Sequence, residues 1–138
     1  MVSGCLAVRL RLLNRLVSNL YDDALRPYGL RVSQMNILVF LAARGPLRGV
    51  DVARVLRLDT STLSRDLDRM IEHGWVAAGK GVGRARRLET SDAGRALLVA
   101  VAPAWRKAQR EAEALLTPAV TSGLVGVVDA LWGGKAST

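Results

Sequence analysis

Thr60, Ser61, Thr62, Ser64, Arg65 and Arg69 crowd into one short stretch of the chain. Hydroxyl groups both donate and accept hydrogen bonds, and a guanidinium offers a planar fork of donors. Side chains of this kind meet phosphate oxygens and base edges in a DNA major groove. A second basic group follows, with Lys80, Arg84, Arg86 and Arg87 set among glycines and Glu89 the only acid. Glycines beside a lysine suit a phosphate cradle, but no Gly-Lys-Ser/Thr run and no helix start follow here, which argues against a nucleotide loop. Directly after the hydroxyl-rich stretch, such a charged ribbon fits a wing that touches DNA.

Those side chains need a rod to carry them. Leu63, Leu67, Met70 and Ile71 recur at i, i+4, i+7 and i+8, the spacing of one buried helical stripe, and the hydroxyls and arginines fall on the other side. Asp59 or Thr60 can cap its start, and Gly74 after His73 supplies a left-handed stop. Upstream, a short helix is expected over about 50–56. Val52, Ala53, Leu56, Leu58 and Leu63 then sit where a helix-turn-helix needs small or apolar residues. Arg57 occupies a turn position where glycine is common, and Asp66 precedes the core residue Leu67; a longer, winged-helix turn accommodates both. Downstream, residues 75–78 read as a strand, 79–83 as a hairpin loop and 84–89 as the returning strand. Arg65 has surface alternatives in Asp66 and Asp68, as does Arg69 in Asp66. The acids Asp59, Asp66, Asp68 and Glu72 are expected to turn from the phosphates or to disfavour wrong sites.

The flanks read as helices. Leu6, Leu10, Leu13, Val17, Leu20 and Ala24 alternate by four and three, with Arg9, Arg11 and Arg15 off the seam and Pro27 ending it. That seam serves either an internal core or a second chain. Met35, Leu38, Leu41 and Ala42 mark the next helix, stopped at Gly45-Pro46. Ser91 caps a long helix that begins with Asp92, bends at Pro103 and reaches about Leu116, with Trp105, Ala108, Ala112 and Leu115 on one face. Thr117-Pro118 starts a last helix striped by Val120, Leu124, Val127 and Leu131. Gly123 and Gly126 each cost that helix about 1 kcal/mol relative to alanine. It therefore needs a packing partner, for which the first helix of a second subunit is the candidate.

The 138 residues fit one domain, and half of them are apolar with few aromatics, so helices packed on helices are expected. With 20 Lys+Arg against 12 Asp+Glu, the formal charge of +8 suits nucleic acid first and an acidic membrane surface second. The apolar runs are too short for a bilayer, which needs roughly 20 residues, so a cytoplasmic protein without membrane contact is expected. The single cysteine, Cys5, excludes an internal disulfide. Cys5 and the sole histidine, His73, cannot complete a usual zinc site. His73, at a helix C-terminus, offers a charge or a hydrogen bond there. The adjacent Asp22 and Asp23 point in different directions on a helix and make no acid–base pair. No enzyme, metal or cofactor is expected.

The order of these pieces resembles the MarR family of bacterial winged-helix regulators. The resemblance rests on Tyr28-Gly-Leu-Arg-Val-Ser-Gln34, Leu58-Asp-Thr-Ser-Thr-Leu-Ser-Arg65, Ile71-Glu-His-Gly-Trp-Val76 and Arg84-Ala-Arg-Arg-Leu-Glu-Thr-Ser-Asp-Ala-Gly94. It implies a mainly α fold with a small β-hairpin, with dimerisation helices at 1–26 and 92–138 and a winged helix-turn-helix lobe at 31–91, the wing at about 75–90. It implies a homodimer on a pseudo-palindromic double-stranded operator, acting as a repressor released by a small, often aromatic, effector. Thr60, Ser61, Thr62, Ser64, Arg65, Arg69, Lys80, Arg84, Arg86 and Arg87 are then the DNA-contact candidates, and the effector residues stay unassigned. A redox-sensing branch of the family uses a first-helix cysteine, which makes Cys5 a redox candidate; a winged-helix module binding a protein is the other alternative. The chain departs from the family pattern in three ways. Val82 stands where an aspartate usually orients the wing arginine, Arg31 and Arg48 replace capping threonines, and Thr90 replaces a leucine.

Overall fold

The computed structural model describes residues 4–80 and 86–133. Its helices are α1 (Leu6–Leu25), α2 (Val32–Arg44), α3 (Gly49–Leu56), α4 (Thr60–Glu72) and α5 (Asp92–Val128). Its strands are β1 (Leu47–Arg48), β2 (Val76–Ala78) and β3 (Arg87–Thr90). The chain divides into two compact units, one of residues up to Ala24 together with those from Ala104, the other Leu25–Pro103.

The unit Leu25–Pro103 has a closed core. Leu25, Leu30, Ile37, Leu38, Leu41, Val52, Met70 and Val101 are all but fully buried, and each large aliphatic side chain so placed stabilises by about 1.5–3 kcal/mol. Most of the helix-turn-helix stripe behaves as its spacing predicts: Val52, Ala53, Leu63, Leu67 and Met70 are buried, while Leu56, Leu58 and Ile71 are half-buried. Arg57 caps α3 in the left-handed conformation, at φ 55°, which explains why glycine would suit that turn. The winged helix has three strands rather than the hairpin alone. β3 lies between β1 and β2, pairing antiparallel with both, Leu47 opposite Leu88 and Val76 opposite Thr90. The two-residue β1 is too short to leave an alternating pattern in the sequence.

Two glycines fix how α4, the sheet and α5 follow one another. Gly74 ends α4 at φ 77°, a conformation that penalises any Cβ. At Gly94 a Cβ would sit 2.3 Å from the Trp75 carbonyl oxygen and 2.8 Å from Thr90 Cγ2. Ser91 caps α5 as expected, its Oγ accepting from Gly94 N–H at 3.1 Å and donating to the Gly74 carbonyl. Thr90 takes the place of an apolar residue at no polar cost, because its buried hydroxyl donates to the Leu38 carbonyl at 2.8 Å.

The other unit closes far less of its apolar surface. Ala108 and Ala112 are its buried hydrophobic residues among those described, whereas Leu6, Leu10, Leu12 and Leu16 of α1 stay exposed. So do Val120, Leu124, Val127 and Leu131 beyond the break at Thr117. That break falls where Thr117-Pro118 predicted it, with Thr117 at φ 72°, ψ 155° inside the α5 run. Leu115, expected on one face with Ala108 and Ala112, is instead about half exposed. By length and composition the stretch Asp92–Gly133, which contains the break at Thr117, is also apolar enough to cross a membrane. Within this unit Tyr21 donates to Gln109 Oε1, and Gln109 Nε2 donates to Glu113 at 2.9 Å. Burial first, then the charge of Glu113, pushes the Tyr21 phenol above its ordinary range.

Candidate nucleic-acid interface

α4 is a rigid rod with its chemistry on one side. Leu63, Leu67 and Met70 anchor it, and Thr60, Ser61, Thr62, Ser64, Arg65 and Arg69 are all exposed. Asp59 is the cap: its Oδ2 accepts the Thr62 N–H at 3.3 Å and the Thr62 hydroxyl at 3.4 Å. The Ser61 hydroxyl donates to the same oxygen. These contacts, the Ser61 hydroxyl foremost and then the Thr62 N–H, hold the Asp59 carboxyl below the usual range. Ser61 and Thr62 are thus partly committed to the cap, while the Thr60 and Ser64 hydroxyls have no hydrogen-bond partner among the described residues. Arg65 and Arg69 form no ion pair with Asp66 or Asp68 among the described residues. Asp66 is instead buried, at 8% exposure, and so faces away from the surface that carries the arginines.

The sheet stands beside this rod. Val50, Leu63, Leu67 and Leu88 floor a cavity of about 750 Å³, with Thr60, Ser61, Ser64 and Arg86 at its polar margin. His73 closes α4, its N–H donating to the Arg69 carbonyl at 2.9 Å, and its ring stacks on Trp75 at 4.4 Å between centroids. The side chain expected to offer a charge or a hydrogen bond at the helix end thus also packs through its ring face.

A family model described as the MarR family matches residues 28–87, the stretch from the turn before α2 to the start of β3. A curated relative, the uncharacterized HTH-type transcriptional regulator YwoH of Bacillus subtilis, is 30% identical over 74 residues. That match spans 54% of each chain, so this chain aligns with only about half the length of YwoH. The transcriptional regulator MosR of M. tuberculosis superposes with a TM-score of 0.81 at 28% identity, over 95% of this chain and 98% of that one. The same regulator solved in complex with DNA superposes at 0.74, with 29% identity over 93% and 98%. CouR of Rhodococcus jostii RHA1 bound to p-coumaroyl-CoA shares the fold, with a TM-score of 0.77 and 20% identity over 95% and 94%. Residues 28–87 thus match the MarR family, and the chain has the fold of transcriptional regulators. That family acts by binding DNA and is not enzymatic.

On this fold the wing candidates separate. Lys80 is exposed, and Arg84 lies outside the described residues. Arg86, expected on a solvated ribbon, is half-buried instead, and its Nε is enclosed without a hydrogen-bond partner. The reason is strand register: Arg86 immediately precedes β3, where Leu88 points into the core and pulls the chain against α4. Arg87 is exposed, its Nη1 donating to the Pro46 carbonyl at 3.4 Å. Sequence reasoning noted Arg48 only as a departure at a capping position and passed over Asp51 and Arg54. Arg48 lies in β1, and nothing in its neighbourhood marks a strand.

Proposed function

We propose that this chain is a homodimeric repressor of the MarR family that binds a pseudo-palindromic double-stranded operator in the cytoplasm. Residues 1–26 and 92–138 serve as dimerisation helices, and 31–91 form the lobe that meets DNA. The observation that carries this reading is α4: six polar side chains exposed on a capped helix whose opposite stripe is buried. Thr60, Ser61, Thr62, Ser64, Arg65 and Arg69 enter the major groove, Arg65 reading a base edge. Lys80, Arg84 and Arg87 lie along the flanking backbone, with Arg86 reaching from the cleft. The MosR–DNA complex at 29% identity supports the class of partner.

The exposed leucines of α1 and the exposed valines and leucines beyond Thr117 support a second copy as the occupant of the apolar surface. Large apolar side chains left exposed in such number on these helices suit an interface. The arginines Arg9, Arg11 and Arg15 interleave with it, which suits a dimer seam better than a bilayer. Two α4 rods then stand one helical turn apart, about 34–36 Å between half-site centres. A small aromatic effector releases the operator, a class supported only by the fold shared with the CouR complex.

The test couples light scattering to fluorescence anisotropy on a duplex recovered from a random-sequence pool. The expected result is a particle of twice the 14.8 kDa chain that binds the duplex with a steep salt dependence. A monomer, or binding that ignores sequence and salt, contradicts the proposal.

A further inference from the structure

Arg48 and Arg87 are direct partners across the β1–β3 ladder. Like charges placed opposite each other in a ladder repel, yet a third guanidinium, that of Arg54, joins them from α3. One carboxylate gathers the group. Asp51 accepts from Arg48 Nε at 3.1 Å and from Arg54 Nη2 at 2.8 Å. Arg87 acts on the same carboxylate through its charge. The Arg48 hydrogen bond first, then the three positive charges, hold the Asp51 carboxyl below its usual range against the pull of desolvation.

Three cations on one anion leave two positive charges uncompensated. The layering is specific: the Asp51 side chain is 18% exposed, whereas those of Arg48 and Arg54 are 51% and 71% exposed. The carboxylate lies beneath and the guanidiniums above it. Each arginine offers five N–H donors in a fixed fork, so Arg48 and Arg54 each spend one edge on Asp51 and keep the rest toward solvent. Gly49 and Val50, next in sequence to Arg48, line the same cleft as Thr60, Ser61 and Ser64. The cluster therefore borders the α4 tip.

We propose that Arg48, Arg54 and Arg87 form a second phosphate-binding contact for the DNA backbone, and that Asp51 is its positioning residue. This rests on the DNA-binding reading above. Bidentate guanidinium forks held in place match phosphate oxygens. The contact fixes the lobe on the backbone while α4 reads bases, the division of labour general to protein–DNA interfaces. Asp51 itself repels phosphate. Its presence favours binding only where the geometry it imposes on the arginines outweighs that repulsion.

Those two effects have opposite signs on different DNA, which makes the role testable. Anisotropy titrations across a salt series compare wild type, Asp51→Ala and Arg54→Gln on the selected duplex and on a scrambled one. For Asp51→Ala, affinity for the scrambled duplex rises, because a negative charge is gone. Affinity for the selected duplex falls, so the ratio of the two drops about tenfold. For Arg54→Gln, the slope of log K against log salt becomes shallower by about one per subunit on both duplexes. Because Arg54 is so exposed, this variant keeps the test valid if Asp51→Ala melts early. Equal tightening on both duplexes in Asp51→Ala overturns the positioning role. An unchanged slope in Arg54→Gln overturns the phosphate contact while DNA binding itself stands. No binding by wild type at any salt overturns the DNA reading and this contact with it.

Discussion

The approach of α5 to the sheet admits no side chain at Gly94, so Gly94→Ala tests the packing that orients the wing. A Cβ there meets the Trp75 carbonyl oxygen at 2.3 Å and Thr90 Cγ2 at 2.8 Å. Neither neighbour is free to yield. The Trp75 carbonyl accepts the Ser91 N–H at 2.9 Å, and Thr90 is tied to Leu38. Overpacking of this kind costs about 1–3 kcal/mol, and disturbing the Ser91 bond adds about 1 kcal/mol. Replacing a helical glycine by alanine returns about 1 kcal/mol. The net is a destabilisation of about 1–3 kcal/mol, a fall in melting temperature of roughly 4–12 °C for a chain of this size. Thermal melts by circular dichroism at fixed protein concentration measure it, since association shifts the midpoint. The Trp75 N–H also donates to the Met70 carbonyl near the end of α4 at 2.9 Å. DNA affinity therefore drops even at temperatures where the variant is folded. An unchanged or raised melting temperature refutes the packing argument.

Four further outcomes are expected. Arg65→Ala weakens binding by about 1–3 kcal/mol and relaxes preference at one base pair; a uniform loss over a mutated duplex panel reassigns Arg65 to phosphate. Asp59→Asn lowers the melting temperature at neutral pH, and the sign follows from its depressed carboxyl. The stabilisation is complete above the unfolded value near 3.9 and is lost as pH falls through the lower folded value. The gap between variant and wild type therefore closes in acid, and melts at pH 7 and pH 3 would expose a gap that persists. Arg57→Gly is more stable than Arg57→Ala by about 1 kcal/mol, because both lack the side chain and only one tolerates φ 55°; equal urea midpoints contradict this. Cys5 is exposed, and if it senses oxidant, peroxide lowers operator affinity in wild type and not in Cys5→Ser. Equal binding by both, with and without peroxide, removes the redox alternative.

Much of this molecule is legible in its sequence because the signals are local. The stripe Leu63, Leu67, Met70, the cap at Asp59, the stop at Gly74 and the break at Thr117-Pro118 each follow from spacing or from one residue's backbone preference. The features that escaped depend on partners far along the chain. β1 is two residues long and exists because Leu88 and Arg87 of β3 lie beside it. Asp66 is the exception: three residues after Leu63 and four before Met70 it lies on the buried stripe, and its charge alone makes it look like a surface acid. Arg86 looks like a solvated charge until the register of β3 draws it into the cleft. The Asp51 cluster combines both kinds of signal: its i, i+3 pairs with Arg48 and Arg54 are local, but Arg87 arrives from 36 positions beyond Asp51.

The claim that α4 enters DNA is tested most directly by a cleavage reagent tethered to the helix itself. Cys5 is the only cysteine, so Cys5→Ser combined with Ser64→Cys gives a single attachment point on the exposed face. Bound to its selected duplex, the labelled protein should cut in two clusters about one helical turn apart. Cuts scattered evenly along the duplex, or none under conditions where the complex forms, would contradict the account.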